Sequence, residues 1–339
     1  MNISWDIVLL ICALLAVVLF VPRSGILARL RRDSREAIRI LREDALKHVY
    51  HCEYSGIACT PDSLAGALGL KRNAAVTLTE ELGERRLISY GGTEITLTDA
   101  GRAYALSIVR LHRLWERYLS DETTVQELRW HEEAEKQEHR LSDEEARALA
   151  KRLGQPLFDP HGDPIPGPGG TVPEQKGKLL RAFSEEEVVR ILHVEDEPAE
   201  VYAKLVALRL FPGTTVRITE STAEKMIIEM EGRVIELTIG LAANITARRV
   251  PTAQLKAGQR TLASLTPGSE GTVSEISPGC RGLQRRRLMD LGVIPGTRIG
   301  AEMKAVGGDP TAYRVRGAVI ALRRRQAEQV FLKDEEKAK

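Results

Sequence analysis

His131, Glu135, Glu138 and His139 stand at i, i+4, i+7 and i+8, a spacing that puts four imidazole or carboxylate groups on one stripe of a helix. Upstream, His112 and Glu116 repeat the i, i+4 arrangement. Three of the seven histidines therefore stand beside carboxylates on two consecutive predicted helices. Such a set can close around a divalent cation. The same spacing also fits a solvated charged face on helices rich in Glu and Arg, and spacing alone leaves both readings open. The run His131-Glu132-Glu133-Ala134-Glu135 is not the H-E-x-x-H of zinc proteases, because glutamate replaces the second histidine. No nucleophile–base pair or open zinc motif is present, so an enzyme is not expected.

The elements that must position these side chains follow from apolar periodicity. Residues 24–50 read as a helix, with Ile38, Leu41, Leu46 and Val49 at helical spacing. Thr60-Pro61-Asp62 reads as an N-cap with proline at the first position of a helix over 60–70, closed by Gly69. A second helix is expected over 73–86, then a hairpin from Ile88 to Leu97 about Gly91-Gly92. Helix, turn, helix and hairpin is the order of a winged helix-turn-helix. In that arrangement Asn73 and Thr77 could read base edges, while Lys71 and Arg72 hold phosphates. Lys71 and Arg72 would equally suit a plain polar turn. Helices are expected over 99–119, 124–139 and 142–153, followed by a Pro/Gly-rich structured turn and linker over 154–178.

Beyond the linker lies an internal repeat. Leu205–Thr214, with Phe211-Pro212-Gly213-Thr214, matches Leu288–Thr297, with Ile294-Pro295-Gly296-Thr297. Gly232, Ile235 and Leu237 match Gly317, Ile320 and Leu322. Each copy reads as a short helix, a Pro-Gly-Thr turn and alternating strands, which suits a small β-barrel.

Bulk composition sets the frame. A chain of 339 residues should form two to four domains. With 43% hydrophobic and 28% charged residues it is ordinary globular protein, and a net charge of +2 requires any nucleic-acid surface to be local. Of the four cysteines, Cys12 lies in an apolar run, and the spacing of Cys52, Cys59 and Cys280 fits neither a zinc site nor a disulfide framework. Residues 7–21 are all apolar and are followed by Arg23, Arg29, Arg31, Arg32 and Arg35. This predicts one membrane-spanning helix over residues 1–23, the body of the protein lying in the cytoplasm.

Residues from about 43 to 167 resemble the diphtheria-toxin-repressor family of metal-dependent regulators. The resemblance is carried by Asp44-Ala45-Leu46-Lys47-His48-Val49-Tyr50, Leu97-Thr98-Asp99-Ala100-Gly101-Arg102 and His112-Arg113-Leu114-Trp115-Glu116-Arg117. It continues through Trp130 to Ser142 and ends on Gly162-Asp163-Pro164-Ile165-Pro166-Gly167. It implies two metal positions: Asp44, Glu135, Glu138 and His139 at one, and His112, Glu116 and His131 at an ancillary one. Asp44 and Glu135 stand where iron-responsive members carry methionine and cysteine, as in the manganese-responsive branch. Oxygen ligands with an imidazole suit Mn2+ or Fe2+. Lys47 departs from that branch, standing where it has a second N-terminal carboxylate. The resemblance further implies a homodimer on a palindromic double-stranded DNA operator.

Residues 257–333 resemble FeoA, the small SH3-like protein of bacterial ferrous-iron uptake, on Leu288–Thr297, Gly308-Asp309-Pro310, Tyr313–Gly317 and Leu322–Ala327. Residues 181–250 read as a diverged first copy, near whose start Glu197 and Glu200 could lend ligands to the ancillary position. The expected fold is thus a multidomain α+β chain. It comprises a membrane helix (1–23), a winged helix-turn-helix domain (24–100), metal-binding and dimerisation helices (101–155), a linker (156–180) and two SH3-like barrels (181–251 and 256–334). The expected function is a Mn2+- or Fe2+-activated DNA-binding regulator, a repressor of metal-uptake genes, held at the cell membrane. The alternative is a membrane-tethered metal sensor that docks on a ferrous-iron transporter through its FeoA-like domains.

Overall fold

The structure, a computed structural model, describes residues 26–91, 94–252 and 260–333, with side chains from residue 34. Two units are distinguished, Met1–Arg110 with Pro168–Gly170 and Leu111–Gly167 with Thr171–Lys339.

In the first unit a long helix α1 (Ile26–Ser55) precedes α2 (Pro61–Ala67), α3 (Arg72–Glu84) and the antiparallel pair β1 (Ile88–Gly91) and β2 (Glu94–Leu97). Thr60 starts α2 through a capping box. Its hydroxyl accepts from the Ser63 amide at 3.1 Å, and Ser63 Oγ accepts from the Thr60 amide at 3.0 Å. Leu46 and Val49 of α1 pack with Leu64, Leu78, Leu82 and Ile95 in one buried cluster. Burial of each such side chain contributes about 1.5–3 kcal/mol. Arg42 and Glu81 pair between α1 and α3. The hairpin pairs Ile88 with Leu97 and Gly91 with Glu94; Gly92 and Thr93, between the strands, lie outside the described residues.

Helix α4 (Asp99–Glu122) crosses the boundary between the units at residue 110. It continues in the second unit to a 3-10 turn (Glu127–Arg129), α5 (Trp130–Glu138) and α6 (Asp143–Arg152). The helix expected over 124–139 therefore begins six residues later. Thr123 Oγ1 accepts from the Val125 amide at 3.2 Å, and the Trp130 indole donates to the Val125 carbonyl at 3.0 Å. These local bonds satisfy the backbone outside a helix.

The barrels follow. The first comprises β3 (Lys178–Leu179), β4 (Val188–Val194), α7 (Ala199–Ala207), β5 (Thr215–Ser221), β6 (Lys225–Met230), β7 (Arg233–Thr238), α8 (Ile239–Ala242) and β8 (Ile245–Arg249). The second comprises β9 (Glu270–Ile276), α9 (Gly282–Asp290), β10 (Arg298–Lys304), β11 (Thr311–Val315), β12 (Ala318–Leu322), α10 (Arg324–Ala327) and β13 (Val330–Leu332). Strand order β8-β4-β5-β6-β7 in the first equals β13-β9-β10-β11-β12 in the second, so the repeat is one of topology. Glu231-Gly232 and Arg316-Gly317 make the equivalent hairpin turns with both residues at positive φ (50° and 75°, 50° and 88°). Two residues at positive φ match the twist of the flanking strands. Each barrel has its own buried cluster, around Val216, Ile218 and Met226 in one and Val293, Ile299 and Tyr313 in the other.

The expected single-pass location in the cell membrane is corrected. Among the described residues no helix is long and apolar enough to cross a membrane. The stretch 7–21 on which the expectation rested lies outside the described residues.

At Gly101, near the start of α4, a Cβ would meet the Leu87 carbonyl oxygen at 1.8 Å. Gly101→Ala should therefore lower unfolding stability by about 1–3 kcal/mol in urea titration. Gly66→Ala, whose Cβ would meet nothing within 4 Å inside α2, should leave it unchanged or raise it by about 0.5–1 kcal/mol.

Candidate metal centre

An α-helix rises about 1.5 Å per residue, so His131 and Glu138 share a stripe but lie about 10 Å apart along it. One stripe must therefore serve two levels, and α5 does so. At the upper level His131 meets His112 and Glu116 of α4. Glu116 Oε1 lies 3.2 Å from His112 Nε2 and 3.5 Å from His131 Nδ1. At the lower level Glu138 Oε2 bonds His112 Nδ1 at 2.5 Å, while its other oxygen lies 3.4 Å from His139 Nε2. Glu138 thus orients the His112 ring from behind, leaving Nε2 aimed at Glu116. Glu135 reaches the outer nitrogen of His131 at 3.5 Å with its side chain half exposed. Asp44 is half-buried on α1 of the first unit, as is Lys47.

Two further groups complete the upper level, and sequence reasoning missed both. His161 is 2% exposed, and its Nε2 lies 3.7 Å from Glu116 Oε1 and 3.9 Å from Asp196 Oδ2. Asp196 Oδ2 also lies 3.1 Å from His131 Nδ1. Of the two barrel residues considered from sequence, Glu197 stands 3.6 Å from His131 Nε2, while Glu200 is exposed at the start of α7.

The turn that delivers His161 is over-determined. Asp159 Oδ1 accepts from the amides of His161, Gly162 and Asp163 at 2.8, 2.8 and 2.9 Å. The Val194 amide of β4 donates to the His161 carbonyl at 2.9 Å. Gly162 has φ +98°, and a Cβ there would lie 2.0 Å from the Leu192 carbonyl oxygen. Only glycine fits that approach. The ring itself is walled by Trp130 and Tyr202, at centroid distances of 6.1 and 5.0 Å. The stretch expected as a structured turn and linker thus holds a buried histidine on its turn. Its signal was present as Asp159-Pro160-His161-Gly162, an Asx-type turn around a histidine.

These groups fit a cation. Glu116 Oε1, His131 Nδ1 and His161 Nε2 are buried without a hydrogen-bond partner, although carboxylate and imidazole atoms lie within 3.1–3.9 Å. Ligand atoms held about 2.1 Å from one ion stand about 3.0–3.5 Å apart, close to these separations. His112, Glu116 and His131 form one group with ligand atoms within 4.8 Å of one another, and Glu116, His161 and Asp196 form another. Glu116 belongs to both.

Electrostatics point the same way. Burial favours the neutral acid of Glu116, but His112, His131 and His161 outweigh it and hold the carboxyl well below its ordinary range. Burial opposes a charged His131 ring, but Asp196, Glu116 and Glu135 push its pKa up to about 12. At neutral pH the metal-free ring therefore carries a proton, which a cation taking Nδ1 must displace.

The exposed face of α3 carries the residues expected to meet DNA. Lys71, Arg72, Asn73 and Thr77 are all exposed. Arg72 pairs with Asp62 at 3.1 Å, and Thr77 Oγ1 donates to the Asn73 carbonyl at 3.1 Å.

Residues 98–167 match the iron dependent repressor, metal binding and dimerisation domain, and residues 178–249 and 260–334 each match the FeoA domain. The chain is 30% identical over 203 residues to the iron-dependent repressor IdeR of Mycobacterium leprae, covering 55% of this chain and 87% of that protein. A manganese-dependent transcriptional repressor solved in complex with manganese superimposes with TM-score 0.58 at 28% identity, covering 61% of this chain and 99% of that one. A segment of 83 residues is 40% identical to part of a probable metal transport system membrane protein of Chlamydia trachomatis. That match spans 24% of this chain and only 18% of the other, so it says nothing about the remainder of either.

Two outcomes are expected. Replacing His161 by Ala should weaken Mn2+ binding, read by calorimetry, by more than the roughly 10–100-fold that loss of an outer-shell partner costs; Glu200→Gln should not change it. Because His131 must lose its proton, binding at pH 7 should release about one proton or more per cation, and affinity should fall up to about tenfold per unit of acidification for each proton displaced. Calorimetry in two buffers of different ionisation enthalpy reads the release, and zero release would refute the arrangement.

Proposed function

Since the chain belongs to the iron-dependent repressor family, we propose that it is a metal-dependent DNA-binding transcriptional repressor whose cation is gripped around Glu116. It is not an enzyme. Its cofactor is a divalent transition metal, Mn2+ or Fe2+, and its partners are double-stranded DNA and a second copy of itself. The observation that carries the reading is the set of buried ligand atoms at Glu116, His131 and His161 that find no hydrogen bond within the chain.

The finer assignments are ours. His112, Glu116, His131, His161 and Asp196 hold one ion. Asp44, Glu135, Glu138 and His139 are assigned to the other position on the family resemblance. Oxygen and imidazole donors favour Mn2+ or Fe2+ over softer ions at the Glu116 centre. An ion there replaces a proton and joins α4, α5, the 158–163 turn and the first barrel. Binding energy that depends on these elements being in place biases the protein toward one arrangement, which is how a cofactor switches a repressor. Lys71 and Arg72 hold phosphates and Asn73 and Thr77 face base edges. The regulated genes are those of metal uptake. The alternative, docking on a ferrous-iron transporter, is supported by no observation at the barrels.

Metal-dependent footprinting on promoter fragments of metal-transport genes tests the reading, with Mn2+, Fe2+ and Zn2+ compared. Protection should need cation and be lost with Glu116→Gln. Joint replacement of Lys71 and Arg72 by Ala should weaken binding across sequences and lower the slope of log affinity against log salt by about 2 per protomer, about 4 for the bound dimer. Metal-independent binding, or an unchanged slope, would count against it.

A further inference from the structure

The spacing of the three described cysteines is not that of a zinc site on its own, but a histidine stands with two of them. On α1, His48 and Cys52 stand one turn apart, and Cys59 arrives beside them on the segment that leads into the Thr60 cap of α2. His48 Nε2 lies 3.5 Å from Cys52 Sγ. Ser63 Oγ lies 3.5 Å from the same nitrogen and 3.7 Å from Cys59 Sγ. One ligand atom each from His48, Cys52 and Cys59 lies within 4.8 Å of the others.

We propose that His48, Cys52 and Cys59 form a second metal site, in the helix-turn-helix unit, for a thiophilic d-block cation of which Zn2+ is the type. In a tetrahedral site with Zn–S about 2.3 Å and Zn–N about 2.0–2.1 Å, neighbouring N and S ligands stand about 3.6 Å apart. The observed 3.5 Å between His48 Nε2 and Cys52 Sγ meets that without backbone movement. Charge also closes. Two thiolates and a neutral imidazole cancel a doubly charged ion, so no net charge is buried at Cys52 and Cys59, which are 5% and 1% exposed. Binding must then release two thiol protons. Ser63 Oγ is committed to the capping box, donating to the Thr60 carbonyl at 2.9 Å and accepting from its amide at 3.0 Å. Three protein ligands therefore leave the fourth position for water, and the half-buried His48 marks the side of entry.

The donor set separates this site from the Glu116 centre. Sulfur selects ions that oxygen-rich sites hold poorly, so the two sites are suited to different cations. An ion here would brace α1 against the start of α2, fixing the first helix of the helix-turn-helix. The proposal does not depend on the reading of the Glu116 centre.

Cobalt distinguishes the two. Co2+ added to the reduced, chelator-treated full chain should give a near-ultraviolet thiolate-to-cobalt charge-transfer band, with the visible bands of tetrahedral cobalt, at one such ion per chain. Zn2+ should abolish it. Cys52→Ala and Cys59→Ala should each remove the band, and His48→Gln, which keeps both thiols, should weaken cobalt binding at least tenfold. Cys280→Ala and Glu116→Gln should leave it intact, the latter showing that the two centres are separate. Absence of the band in the unmodified chain, or its survival in the Cys52 and Cys59 variants with native circular dichroism, would overturn the proposal. Should those variants not fold, the His48→Gln arm decides alone, an unchanged band overturning it.

Discussion

A carboxylate taken almost fully out of water must be matched by positive charge, and Glu116 imposes that demand on the second unit. It is 2% exposed and touches three imidazoles, from α4, α5 and the 158–163 turn. Asp196 from the first barrel adds a second acid to the same hole. Two acids among three rings cannot all be neutral and well hydrogen-bonded. In the metal-free chain a proton on His131 meets part of the deficit. A divalent ion meets it with more charge and with ligand bonds to atoms that otherwise have none. At the proposed centre proton and metal would compete for one position.

Much of this was legible in the sequence, and what was not has a physical reason. The helical period put His112 and Glu116 on one face because residues four apart on a helix share it, and the next helix brings His131 to them. The same period could not say that His131 and Glu138 serve different levels, since a stripe records angle and not height. His161 and Asp196 lie in turns, where no periodicity operates. They are brought in by an Asx bond at Asp159, a glycine at 162 and a strand-edge bond from Val194, all contacts made in three dimensions. The helix expected to start at 124 was delayed by a threonine hydroxyl competing for the backbone, a choice propensity does not resolve. The duplicated barrels were visible because the Pro-Gly-Thr turns and the paired positive-φ turns demand particular residues wherever they occur.

The two proposed centres divide the chemistry by hardness. Around Glu116 the donors are carboxylate oxygen and imidazole nitrogen; around Cys52 they are thiol sulfur with a single ring. Donor type then biases the two sites toward different cations, against an affinity order that favours the same ion at both.

The second barrel also reaches the metal helices, through Arg281. Its guanidinium donates to Glu127 in the turn before α5 and to the Pro160 carbonyl next to His161. It lies over the Trp130 ring at 5.7 Å and the Phe211 ring at 4.5 Å. Tyr202 of the first barrel donates to the same Glu127 oxygen at 2.7 Å. One planar cation therefore fixes the start of the helix that carries His131 and the turn that carries His161, while resting on an aromatic ring of the first barrel. A lysine could supply the charge but neither the fork of donors nor the stacking face. The positions of the His131 and His161 rings are thus set partly by a domain that contributes no group to the proposed centre. Loosening the second barrel would be felt at the Glu116 centre as lost preorganisation, in the way that outer-shell partners tune a metal they never touch.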